Sequence, residues 1–130
     1  MLLRLAFGEP GRLPEWPKLD AVHTSTLTAA ECHRTLDRRR FRDRLGEEEL
    51  ARRRANILGA LERCETVELS SGVLARAAEP FRSPIGALDA IHLATALLLR
   101  ESSEEDFAFA THDTALATAA RSHGFQVLGA

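Results

Sequence analysis

The chain has 130 residues, enough for one domain with one sizeable core and too few for two independent ones. Hydrophobic residues make up 45% and charged residues 28%, which excludes a long disordered chain, and the net charge of −2 excludes a uniformly polybasic binder. The longest apolar stretch, Ile85 to Leu99, is interrupted by Asp89 and His92 and falls short of the roughly 20 residues that cross a bilayer, which excludes an anchor there.

The opening MLLRLAFGEPGR lacks a basic leader, a long apolar region and a small-residue cleavage site, so no secretory signal is read and the expected compartment is the cytoplasm. Leu2 to Phe7 reads as a short apolar helix stopped by Gly8 and Pro10, and Pro14 and Pro17 around Trp16 mark a loop or a single turn. Asp20 to Thr24 (DAVHT) alternates like a strand. Thr28-Ala-Ala-Glu31 has the spacing of a capping box and predicts a helix running to about Arg42. Gly46 breaks it, and EEELARRRANILGALER restarts with acids first and basic residues later, the order a helix dipole favours. Between Arg34 and Arg54 nine arginines stand against five acids. Two readings of that excess weigh equally: a docking surface for a polyanion, or a solvated helix pair whose charges offset one another. Cys32 and Cys64 lack metal-site spacing and read as two separate reduced thiols.

Further along, Thr66 to Leu69 is a second predicted strand, VLARAAEPF a short helix closed by Pro80, and Ala87 to Arg100 a buried helix. FAFATHD is a third strand with Phe107, Phe109 and Thr111 on one face, Thr114 to His123 a helix ended by Gly124, and FQVLG a last strand. This order is that of an α/β domain with a mostly parallel sheet covered by helices on both faces.

The helix GALDAIHLATALLLR poses the functional question. Leu88, Ile91, Leu93, Leu97, Leu98 and Leu99 spread around nearly its whole circumference, so it is expected to be enclosed. An ionised Asp89 there loses hydration worth several kcal/mol and must recover it from a cation, hydrogen bonds or a proton. The plainer alternative is a first-turn carboxylate welcomed by free N–H groups and the macrodipole. Glu31 follows the DAVHT strand and Asp113 the FAFATH strand, at the carboxyl ends of strands where open α/β sheets bind ligands. Three acids gathered at that edge call for a hard divalent cation, Mg²⁺ or Mn²⁺. Each has its plainer reading as well: Glu31 completes the capping box, and Asp113 caps the last helix.

The stretches TSTLTAAECHRTL, GALDAIHLATALLL and FATHDTALATAARSHGFQVL, in that order, resemble the PIN domain, in particular the VapC-type toxin ribonucleases of bacterial toxin–antitoxin pairs. The resemblance covers nearly the whole chain and implies a single three-layer α/β domain over residues 1–130. It matches Glu31, Asp89 and Asp113 to the family's acidic Mg²⁺ or Mn²⁺ ligands, and Ser25 and Thr111 to small hydroxyl residues beside them. His92, common next to the acid in the family, is read as a packing or supporting residue, because imidazole is a poor partner for Mg²⁺. The implied reaction is metal-dependent hydrolysis of an RNA phosphodiester, transfer RNA included among the targets, by a homodimer held in check by an antitoxin protein. Arg34, Arg38, Arg39, Arg42 and Arg44 are the expected RNA-steering residues.

Family members usually begin with a hydrophobic strand ending in an Asp, ahead of the helix that LLRLAFGEPG resembles. With Met1 at the start of that helix, the resemblance implies that the first strand and its acid are absent from an N-terminally truncated domain. Either the true start lies upstream, or the chain is a remnant with weak metal affinity. Three functions follow as expectations: a ribonuclease, an inactive fold that binds an antitoxin or another protein through Leu2 to Phe7 and Trp16, and a flavodoxin-like ligand domain. The last is disfavoured because no Gly-rich phosphate loop follows any strand.

Overall fold

The computed structural model describes residues 13–103 and 105–130, which form two compact units divided between Thr66 and Val67. The predicted helix Leu2 to Phe7 lies outside the described residues.

In the first unit Trp16–Lys18 forms a single 3₁₀ turn, its Trp16 buried beneath the Arg63 guanidinium 5.2 Å from the ring centroid. Arg63 also donates to the Trp16 carbonyl at 3.3 Å, tying the turn to the end of the unit. Strand β1 (His23–Ser25) pairs with β2 (Glu65–Val67), and the Glu65 N–H donates to the Val22 carbonyl. Strand β1 begins three residues later than the expected DAVHT, and β2 begins one residue before and ends two before the expected Thr66 to Leu69. Helix α1 (Leu27–Arg42) packs on α2 (Glu47–Glu62). Thr28, Cys32 and Leu36 recur every four residues on the buried face of α1, and Leu50 and Ile57 stand two turns apart on that of α2.

The expected capping box does not form. The helix begins at Leu27, so Thr28 is its second residue and Thr26 takes the cap position without a side-chain hydrogen bond. The Thr28 hydroxyl instead pairs with that of Thr24 at 2.8 Å, and Ser25 Oγ accepts the Leu27 N–H at 3.2 Å. At the other end, Leu45 N–H reaches back to the Arg40 carbonyl at 3.1 Å with Arg44 at φ 49°, closing α1 by a Schellman-type bond. Gly46 then caps α2 in an extended conformation, and Glu47, Glu48 and Glu49 occupy its first turn as the dipole favours.

In the second unit Ser70 Oγ accepts the Val73 N–H and opens α3 (Ser71–Ala77), two residues earlier than expected. Helix α4 (Ala87–Ser102) packs against α3, and also against α5 (Thr114–Ser122). Strands β3 (Phe109–Ala110) and β4 (Val127–Leu128) run parallel, with Phe109 opposite Val127 and Ala110 opposite Leu128. The core joins Leu93 and Leu97 of α4 to Leu116, Ala119 and Ala120 of α5 and to Phe125 beyond it. Small alanines on α5 let the helices approach closely, and Phe109 and Val127 cover the same cluster from the strands. Helix α5 ends in a complete Schellman motif: Phe125 N–H bonds to the Ala120 carbonyl and Gly124 N–H to that of Arg121, with Gly124 at φ 84°.

The α/β class therefore stands, with five helices and four short strands among the described residues. One expectation is corrected: α4 is not enclosed all round. Leu93 and Leu97 are buried and Ile91, Leu98 and Leu99 half-buried, but Leu88 in the first turn is 51% exposed and Asp89 beside it is only half-buried. Leu88 stands at the open start of the helix, where fewer neighbours cover it than farther along.

Candidate functional site

Asp113 is the most fully built of the singled-out acids. The ladder between β3 and β4 continues past the strands through a Thr111 N–H bond to the Leu128 carbonyl at 3.0 Å. Thr111 is buried, and its hydroxyl accepts the Asp113 N–H at 3.0 Å. Asp113 then caps α5, Oδ1 accepting the Leu116 N–H at 2.8 Å. The cap reading is thus correct, yet it engages only one oxygen. The residue is exposed at the carboxyl end of a parallel strand, and among the described residues Oδ2 makes no hydrogen bond.

Gly129 braces this corner from β4. At φ 84° it brings its carbonyl to 2.5 Å from His112 Nδ1, and a Cβ there would lie 3.0 Å from the Thr111 carbonyl oxygen and from His112 Cε1. Only glycine fits both the backbone angle and the space. The adjacent His112 Nε2 is buried without a hydrogen-bond partner among the described residues. Neither residue was singled out from sequence; the terminal VLG after an alternating strand is the signal for the glycine, and no pattern marks the histidine.

Asp89 stands in the first turn of α4, near the free N–H groups that favour a carboxylate, in agreement with its plainer reading. His92 follows three residues later, near the same helix face and half-buried. Gly86 is the N-cap of α4, and an ideal Cβ on it would sit 3.9 Å from Asp89 Oδ2. In the first unit Glu31 lies beyond the first turn of α1 and is half-buried. Ser25 is buried at the end of β1, where its hydroxyl serves the helix start.

Whether these acids suit a divalent cation depends on donor kind and number. All three are carboxylates, the donor that Mg²⁺ or Mn²⁺ prefers. Among the described residues, however, no group of three or more His, Cys, Asp or Glu is placed to hold a metal ion. Glu31 lies in the first unit and Asp89 and Asp113 in the second; each is a donor of the right kind, and among the described residues neither unit carries a cluster of three of its own.

The arginines of α1 and the following turn are largely engaged locally. Arg34 pairs with Asp37, Arg42 grips Asp43 through Nε at 2.6 Å and Nη2 at 3.0 Å, and Arg38 donates to the Thr35 hydroxyl at 3.0 Å. Arg40 reaches Glu47 across the turn at 3.4 Å, and Arg52 and Arg53 both hold Glu49. The Arg42 guanidinium holds the Asp43 carboxyl below its ordinary range, and Arg52 and Arg53 do the same for Glu49. The offsetting-charge reading is therefore correct for much of the segment. Arg38 and Arg44 are exposed and pair with no carboxylate among the described residues. Arg39 is half-buried.

Both thiols are free, as expected. Burial pushes the Cys32 thiol up to about 11, and Cys64 donates to the Ala60 carbonyl. No helix among the described residues is long and apolar enough to cross a membrane.

A family model described as the PIN domain matches residues 1–124. Neither the curated proteins nor the solved structures yield a match to this chain.

Proposed function

Because the chain belongs to the PIN domain family, whose members are nuclease-type and generally depend on a divalent metal, we propose that it is an endoribonuclease that hydrolyses RNA phosphodiester bonds. In this reading residues 1–130 act as one domain, a reading the match through residue 124 supports. The protein is the VapC-type toxin of a toxin–antitoxin pair, acts in the cytoplasm on RNA such as transfer RNA, works as a homodimer, and is silenced by its cognate antitoxin.

Glu31, Asp89 and Asp113 are the residues that would hold Mg²⁺ or Mn²⁺. The chemistry such an ion supplies to phosphodiester hydrolysis is a more acidic bound water and neutralisation of the charge growing on phosphate and leaving oxygen. The observation that carries the reading is Asp113: an exposed carboxylate at the carboxyl end of a parallel strand, its backbone N–H held by the Thr111 hydroxyl and its Oδ1 by the Leu116 N–H, with Oδ2 left over. The α5 cap limits the rotamers of that carboxylate and Thr111 fixes the backbone that carries it, so the free oxygen is preorganised for a ligand. Ser25 supports the helix that carries Glu31, and His92, three residues after Asp89 on α4, is the packing or supporting residue of the site. Arg34, Arg38, Arg39, Arg42 and Arg44 attract the RNA backbone in a strongly salt-dependent way.

Incubating the purified chain with an RNA pool in Mg²⁺ or Mn²⁺ tests the proposal. The expected result is cleavage that disappears with EDTA and with Asp89→Asn. A second reading is favoured by the missing three-donor cluster among the described residues: an inactive fold that binds an antitoxin or another protein. No cleavage and no rise in Tm with either ion supports that second reading and overturns the first.

A further inference from the structure

Phe41 is 78% exposed, more than any other large hydrophobic residue among those described. It sits in the last turn of α1, off the stripe of Thr28, Cys32 and Leu36 that faces the first unit's core. Between residues 38 and 47 five arginines stand against two acids, so the ring projects from a locally positive tip. The Arg40 guanidinium carbon lies 5.8 Å from the ring centroid. Arg38, one turn before Phe41, and Arg44, just past the helix end, are exposed and bound to no carboxylate among the described residues.

The surroundings of the ring select its partner. An amphipathic protein helix needs a run of apolar positions, and the helical neighbours of Phe41 at three and four residues back are Arg38 and Asp37. A second copy of this tip would bring like charges together. A flat ring set among cations suits a ligand that joins π-faces to anions along one strand, which is single-stranded nucleic acid. We infer that the α1–α2 tip is a contact for single-stranded RNA, with one unstacked base on Phe41 and the flanking phosphates held by Arg38 and Arg44. The inference rests on the nuclease reading for its choice of RNA, and it places a substrate contact on a residue distinct from the acids.

The test uses the full chain in EDTA, so that binding is read without cleavage, with four probes: a short single-stranded RNA, the same sequence as a duplex, inorganic polyphosphate and an acidic peptide. Phe41→Ala is expected to weaken the single strand by about tenfold, within the range that loss of one aromatic stack produces, and to leave polyphosphate unchanged. Phe41→Trp restores binding and Phe41→Leu does not. Arg44→Gln lowers the salt slope for the single strand by about 0.7, the contribution of one phosphate contact. Phe41 is exposed, so an unchanged Tm is expected for each variant. Equal affinity of wild type and Phe41→Ala for the single strand overturns the inference, as does an equal loss toward polyphosphate. An acidic peptide that binds in a Phe41-dependent manner while RNA does not also overturns it. Cleavage that survives with Phe41-independent binding sinks this contact alone; Phe41-dependent binding by a chain that never cleaves sinks the nuclease reading alone.

Discussion

Two helix ends in this chain make the same closing hydrogen bond with different residues. At the end of α5 the left-handed position is Gly124 at φ 84°, and the next residue, Phe125, is buried in the core of the second unit. At the end of α1 the same position is Arg44 at φ 49°, and the helix end lies beside Phe41, the most exposed large hydrophobic side chain among the described residues. A left-handed non-glycine residue costs roughly 1–2 kcal/mol. The comparison teaches that one end is built for stability, with glycine and a buried aromatic, whereas the other retains strain together with a cation and an exposed ring. Strain kept beside an exposed cationic surface is the pattern expected where a residue serves a ligand.

The largest effect should come from the core behind the α5 end. Leu93→Ala is expected to cost about 2–5 kcal/mol in urea unfolding, while Leu88→Ala on the same helix stays within about 0.5 kcal/mol. Equal losses would show that α4 is enclosed after all. The glycine contrast is sharpened by exchange: Gly124→Ala should lose about 1–2 kcal/mol, because the new Cβ meets only a van der Waals neighbour and the backbone angle sets the cost. Arg44→Gly should gain about 0.5–1 kcal/mol, the relief being partly offset by glycine's freedom in the unfolded chain.

Asp113 separates capping from chemistry. Asp113→Ala should cost about 1 kcal/mol through the lost bond to Leu116, whereas Asp113→Asn keeps an accepting oxygen and stability falls by only a few tenths. Both should abolish RNA cleavage; an active Asp113→Asn would restrict the residue to its capping role. The smallest effect concerns His123, which follows α5 immediately before Gly124. Its Nε2 is buried without a hydrogen-bond partner among the described residues, and the Phe81 ring packs edge-on to it at 5.6 Å. Burial first, then the nearby Arg76, Arg82 and Arg100, hold the imidazole below its ordinary value. A folded-state depression disfavours the protonated form, so stability is full above about pH 6.5 and falls as pH drops through the folded value. Urea midpoints measured through that window should decline for wild type and flatten in His123→Gln.

Much of this architecture was legible from residue patterns. Acids ahead of arginines announced α2, the glycine after Thr114 to His123 announced the end of α5, and the order of strands and helices announced the α/β class. The capping box at Thr28 was misread because a hydroxyl four residues earlier, on Thr24, competed for it, and sequence spacing does not rank such partners. The exposed Phe41 had a visible signal, since it falls off the four-residue stripe of its own helix. Gly129 against His112 had almost none, because that contact joins the chain's end to a segment 17 residues away.

By itself the sequence determined the class of fold, the family and the chemical kind of the candidate donors, since hydrophobic period, breakers and acidic side chains are local properties. Tertiary structure decided which of the similar residues are committed: which arginines are neutralised by neighbours, which oxygen of Asp113 is used, which leucines of α4 reach the core. Those outcomes depend on competition among partners brought together by folding, where differences of about a kcal/mol select the winner.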